Sequence, residues 1–227
     1  MLPCHLILYS MDLDDIKYVI EQFPQGLFVK DDDGNLPLHL SCCSFYNNAL
    51  DVENKASPVQ VTTLLLELYD KYQHLNSINR TNSQDDEEEE PKITPIALEK
   101  NNKDQTTLHL AIYNKSGWEM LDTLLSQCPG STEAASELSH YEEEIMNNAL
   151  HLLLNPKYTD DACIVTLLKH VPILATIPNS HSILSIEIAY MNNLSNDIIL
   201  AISLLDLLIN LYQSYVKTLD CGYYGAL

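Results

Sequence analysis

One short block recurs along the chain and limits its possible folds more than any other feature. "LPLHLS" at Leu36–Ser41 is matched by "LPCHLI" at Leu2–Ile7, "TTLHLA" at Thr106–Ala111 and "NALHLL" at Asn148–Leu153. A decayed copy, "LSIEIA", lies at Leu184–Ala189. The blocks end at residues 7, 41, 111, 153 and 189, so successive gaps are 34, 70, 42 and 36 residues. Three gaps are close to one period of about 33 to 40 residues, the range of helical repeat arrays. The gap of 70 requires an insertion.

A second element precedes the four later blocks. Pro24, directly after an apolar residue, and Pro95, Pro129 and Pro172 in corresponding places each stand upstream of a polar turn and then the block. Proline cannot continue a helical hydrogen-bond ladder, so it suits a helix stop. The unit therefore reads as helix, proline stop, polar turn, short helix start, helix. This is an all-α pattern. Only six glycines occur, and Leu and Ile dominate the apolar set, which favours helices.

The unit resembles the ankyrin repeat, whose signature is a G-x-T-P-L-H-x-A run opening the first of two antiparallel helices. Gly34–Ser41 is the best copy, with Gly34, Pro37, Leu38 and His39 in place. Asp104–Ala111 has Asp104 for Gly and Thr107 for Pro, the third copy keeps Leu150 and His151, and the fifth has Glu187 for His. The resemblance covers nearly the whole chain. It implies an α-solenoid of about five repeats, at approximately 1–30, 31–79, 93–130, 143–177 and 178–220. In it the threonine or its substitute caps helix one. Proline occupies the first turn, whose N–H groups lack intrahelical partners. The histidine bonds turn backbone of the neighbouring unit. His5, His39, His109 and His151 fall at equivalent positions.

Within the units, Asp12 is placed to cap a helix at about 13–23. Leu13, Ile16, Val19, Ile20 and Phe23 form its apolar stripe. Pro58 starts a long second helix with Val61, Leu64, Leu65, Leu68 and Tyr72 on one face. Further helices are expected at about 2–9, 36–46, 106–115, 118–127, 148–154, 160–170, 184–192 and 196–216. "STEAASELSHYEEE" is a polar insert with room for a short helix. Residues 80–92 carry six consecutive acids, which repel one another and stay solvated, so this stretch is expected to be a disordered loop. Asp197–Tyr215 is the most apolar stretch. Asp197 and Asp206 interrupt it, and it reads as a buried helix rather than a membrane span. Any uncovered side of that helix would be apolar unless a further element or a partner covers it.

Twelve basic against thirty-two acidic side chains give a formal charge of -20. Such a surface repels phosphate backbones and anionic membranes, and favours basic protein patches. The cysteines Cys4, Cys42, Cys43, Cys128, Cys163 and Cys221 occur in a chain without a secretory signal. They read as buried thiols of a reducing compartment, cytoplasmic or nuclear. The sequons at Asn79, Asn114 and Asn193 then carry little meaning.

Chemistry is sparse. The sequence has no phosphate-binding loop, dinucleotide fingerprint, nucleophile elbow, H-E-x-x-H or C-x-x-C. Adjacent Cys42 and Cys43 point to different helix faces, which argues against a metal held with His39. "DDDGN" lacks the glutamate of a calcium loop, because that position is Cys42. No catalytic residue, cofactor or metal is expected. Ser83 in "SQDDEEEE" suits an acid-directed kinase.

What remains is a binding surface. By position in the ankyrin pattern, Tyr9, Cys43, Tyr113, Asn155 and Met191 face the concave groove. Asp31, Asp32, Asp33, Asn101, Asn102 and Lys103 form turn tips. Aromatic and acidic groups suit a basic or amphipathic protein segment. The chain is expected to be a non-enzymatic adaptor or scaffold. The alternative is a non-catalytic repeat region of a larger regulatory protein or enzyme. A scaffold of HEAT or tetratricopeptide type would lack the recurrent turn histidine.

Overall fold

A computed structural model describes residues 3–42, 55–80, 95–128, 130–137 and 147–223, the side chains of 74–80, 215 and 217–223 apart. Among the described residues the regular structure is helical, with no strand. Cys43, Ser83, Pro129 and the acidic run from residue 81 onward lie outside the described residues.

The helices begin where local chemistry directs them. α1 (Pro3–Leu6) runs into a 3₁₀ turn at Ile7–Ser10. α2 (Leu13–Gln22) starts at Asp12, whose Oδ1 accepts the Asp14 and Asp15 N–H groups at 3.0 and 3.1 Å. α3 (Pro37–Ser41) and α5 (Thr107–Tyr113) open on the recurring block. α4 (Pro58–Arg80) opens on a reciprocal cap, with Gln60 N–H donating to Ser57 Oγ and Ser57 N–H to Gln60 Oε1. α6 is Trp118–Gln127, α7 is Ser131–Ser136 and α8 is Ala149–Leu153, the last capped by Asn148. α9 (Asp161–His170) is capped by Asp160. α10 is Ser185–Met191 and α11 is Asn196–Tyr223. Pro24 and Pro172 do more than stop a helix. Each opens a 3₁₀ turn, at Pro24–Phe28 and Pro172–Thr176, while Pro95 caps a third at Ile96–Leu98.

The helices pack in two rows. α1, α3, α5, α8 and α10 meet in that order, and α2, α4, α6, α9 and α11 do likewise. Each short helix also touches the long helix that follows it in the chain. Two apolar clusters result. One centres on Ile16, Ile20, Leu27, Leu38, Leu65 and Tyr69. The other centres on Leu108, Leu121, Leu124, Leu150, Ile164 and Leu167. α4 touches α2, α3 and α6, so Leu66 and Tyr69 are buried beyond the single face expected for it.

Two expectations fail. Phe23, placed on the α2 core stripe, is 50% exposed, because the backbone leaves helical geometry there (φ -140°) and turns the ring off the stripe. The apolar stretch at 197–215 is not a buried helix. Ile198 and Ile202 are buried against the neighbouring elements, but Leu200, Leu204, Leu207, Leu208, Leu211 and Tyr212 face solvent. Nothing among the described residues packs on that side. Asn196–Ser214 is long and apolar enough to cross a membrane by length and composition, at mean hydropathy 1.4.

Candidate binding surface

The polar turn before each block is built the same way in three places. Asp31, Asn101 and Asn179 each open a turn whose fourth residue returns an N–H to the first carbonyl, at 2.9, 3.0 and 2.9 Å. That fourth residue has positive φ: Gly34 at 78°, Asp104 at 61° and Ser182 at 61°. The opening side chain turns inward. Asp31 Oδ1 accepts from Asp33 and Asn35 N–H, Asn101 Oδ1 from Lys103 and Gln105, and Asn179 Oδ1 from His181 and Ile183. These are side-chain-capped turns, which favour Asp and Asn.

Successive turns dock on each other. Asn102 N–H donates to Asp33 O and its Nδ2 to Asp32 O, both at 3.0 Å. Asn101 Nδ2 donates to Asn35 Oδ1 at 3.0 Å, and Asn179 Nδ2 repeats the gesture to Asn147 Oδ1 at 3.2 Å. Lys30 adds an ion pair to Glu99 at 3.0 Å and a bond to Lys100 O.

The recurring histidine lies eight residues past the turn opener in the two turns that keep it, His39 and His109. His39 Nδ1 accepts the Leu36 N–H at 3.1 Å, capping its own helix. Nε2 must then carry the proton, and it donates to Glu99 O in the next unit at 3.0 Å. Both nitrogens are engaged, so His39 has no lone pair left for a metal. His5 Nε2 bonds Asn35 O at 2.9 Å, across the same kind of boundary. Thr106 caps α5 with Oγ1 2.7 Å from His109 Nδ1. His151 faces the Ile183 backbone across the same kind of boundary, more loosely than His39 meets Glu99. Glu187 replaces the histidine in the last turn, and its Oε2 accepts the Leu184 N–H at 2.7 Å. One cap is thus made by two chemistries. Burial pushes His39, His109 and His151 down to about 4.

The sequence-derived groove residues separate into two kinds. Tyr9 is 42% and Met191 62% exposed, and Asp32, Asp33 and Lys103 project from the turns. The others are committed to the fold. Tyr113 packs edge-to-face on Tyr158 with ring centroids 5.3 Å apart. Asn155 Oδ1 accepts the Lys157 N–H. Asp31, Asn101 and Asn102 hold turns. Tyr190, which no motif marked, stands exposed beside Met191.

Cys4, Cys128 and Cys163 are buried free thiols, and Cys42 is buried as well. Burial raises Cys4, and pushes Cys128 to about 11 and Cys163 to about 12, so these stay protonated near neutrality. A cavity lined by Lys115, Leu121, Asp160 and Cys163 has a volume of about 80 Å³. Small-molecule sites usually need roughly 300 Å³ or more. No group of three or more metal-ligating side chains occurs among the described residues. No protein-family model matches the chain, and no curated protein matches it in sequence.

Proposed function

We propose that the chain is a divergent ankyrin-like solenoid that acts as a non-enzymatic protein-binding module. One observation carries this reading. The same capped turn is built at Asp31, Asn101 and Asn179, and the first two dock tip on tip. Repetition of a turn that projects side chains, on short helices aligned in one row, is the architecture of an extended binding face. The face combines Tyr9, Tyr190 and Met191 with Asp32 and Asp33. Aromatic and thioether groups supply adaptable apolar contact, and the acids steer cations. A basic or amphipathic segment of another protein fits this chemistry. Nucleic acid does not, at a formal charge of -20. The buried free thiols agree with a reducing compartment, cytoplasmic or nuclear. The partner contacts reside in this array whether it acts alone as an adaptor or as the repeat region of a larger protein.

Affinity capture from cell extract at low and moderate salt tests the reading. The comparison is Tyr9→Ala with Met191→Ala and Asp32→Lys, all at exposed positions, with helicity checked by circular dichroism. Basic proteins captured by the parent chain, weakened by salt and lost from the variant are the expected result. Identical capture by both forms removes the groove from consideration.

A further inference from the structure

α11 presents its apolar side to water. Leu200, Leu204, Leu207, Leu208, Leu211 and Tyr212 are 49 to 69% exposed. At 100° per residue these six fall on one face of the helix. The polar residues fall elsewhere. Asp206 lies roughly opposite Leu204 and accepts from Asn210 Nδ2 at 3.0 Å, while Ser203 Oγ is turned onto the Ile199 carbonyl at 2.8 Å. From Leu200 to Tyr212 the exposed face holds no charge and no amide.

We propose that this face is the two-fold interface of a homodimer, with α11 of one chain packed antiparallel on α11 of a second copy. Two observations select a second copy as occupant, and a third sets its orientation. The seam Leu200, Leu204, Leu207, Leu211 has spacings of four, three and four residues, the a/d rhythm of helix–helix packing. That rhythm reads the same in both directions. Antiparallel copies therefore set Leu200 against the partner's Leu211 and Leu204 against the partner's Leu207, the self-complementarity an isologous contact needs. Second, the area suffices. The six side chains expose on the order of 600 Å², at the upper end of what a monomer's largest apolar patch reaches. Two such faces, fully covered, together bury about 1,200 Å², the lower limit of the range of specific interfaces. Third, the orientation follows from charge. A parallel pair would bring Asp197 against its own copy and align the helix dipoles, whereas the antiparallel pair opposes them. The proposal stands whether or not the groove binds a partner.

The net charge of -20 on each chain opposes association at a distance, while the seam itself is uncharged. Salt should therefore tighten the dimer by screening that repulsion, the reverse of its effect on an ion-paired interface. Sedimentation equilibrium on the 25.7 kDa chain at low and high salt is the test. The expected result is a reversible dimer, with a dissociation constant that falls as salt rises. Leu204→Asp should weaken it by about 100-fold, because the carboxylate must be buried against leucine. Circular dichroism should show no loss of helix. Leu204→Lys and Leu207→Glu chains should each be monomeric and should form a mixed dimer when combined, since position 204 of one faces position 207 of the other.

A parent chain that remains monomeric at about 100 µM and high salt overturns the proposal. If that monomer binds neutral phosphatidylcholine vesicles, the face is directed at a bilayer instead. If it binds neither, the occupant is another protein segment. A dimer unaffected by Leu204→Asp also overturns it, because the contact then lies elsewhere.

Discussion

At the scale of single residues, His39 shows how one side chain joins two levels of structure. Its Nδ1 satisfies an orphan donor at the start of α3, and its Nε2–H satisfies Glu99 O across the unit boundary. Both bonds need the neutral ring. Protonating Nδ1 would leave the Leu36 N–H facing a positive charge in a buried site. Burial accordingly holds His39, His109 and His151 at about 4, against an ordinary value of 6.5. Their contribution is fully present above about pH 6.5, and is lost as pH falls from there towards 4, because the unfolded chain takes up protons first. Each unit of separation corresponds to about 1.4 kcal/mol per histidine. Discharging the acidic surface relieves repulsion over the same range and acts in the opposite direction, so the useful quantity is a difference. Urea unfolding at pH 7.5, 6 and 5 should show a His39→Asn variant losing about 1 to 2 kcal/mol less than the parent across that interval. Parallel curves would mean that His39 does not govern the acid response. At neutral pH, His39→Ala should cost about 2 to 4 kcal/mol, from a cavity and two unpaired backbone groups. A cost below about 0.5 kcal/mol, the level of an ordinary surface change, would favour a plain helical-hairpin scaffold.

At the scale of elements, the turns fix how successive short helices sit on one another, and their strain is unevenly relieved. Gly34 takes φ 78° without penalty, and it also lets the next turn approach. A Cβ there would lie 2.4 Å from Asn102 Oδ1 and 2.7 Å from Asn102 N. Gly34→Ala should therefore cost about 2 kcal/mol or more, through both the left-handed backbone and the displaced neighbouring turn. Ser182 adopts the same conformation with a side chain and no neighbouring turn described beyond it. Ser182→Gly should stabilise by about 0.5 to 1 kcal/mol, since left-handed geometry costs an L-residue more than glycine's extra chain entropy. Thermal unfolding of the two variants checks both signs. A stabilising Gly34→Ala would show that the turns do not stack as described.

Helix positions were largely legible from the sequence because their signals are local. Asp12, Pro37, Thr106, Asn148 and Asp160 stand where caps and first turns need them. Residue-level burial was less legible. Phe23 has the right spacing for the α2 stripe, yet it sits at the helix end, where backbone geometry overrides spacing. Glu187 looked like decay of the motif, but it makes the cap that histidine makes elsewhere. The 3₁₀ turns at the prolines depend on what packs against them, which no single unit contains. α11 is the clearest case. Its composition pointed to burial, and only the position of its neighbours decides which side meets water.

At the scale of the whole molecule, burial among the described residues divides between two clusters rather than one. The first joins α1 to α4 with the 3₁₀ turn at Ile96–Leu98, Cys128 and Ala134. The second runs from Cys42 through α5, α6, α8 and α9 to Ile202. α4 and α6 touch along the boundary between them. Two apolar clusters that meet mainly along one helix pair can open independently of each other. Ile20 is fully buried in the first cluster. Ile20→Ala should remove about 2 to 5 kcal/mol there. Native-state hydrogen exchange should then quicken at the protected amides of α2 and α4 and leave those of α8 and α9 unchanged. Equal acceleration at α9 would show that the interface between α4 and α6 couples the clusters into one cooperative unit. Partial unfolding would then give no separate signal, and one free energy would describe the chain.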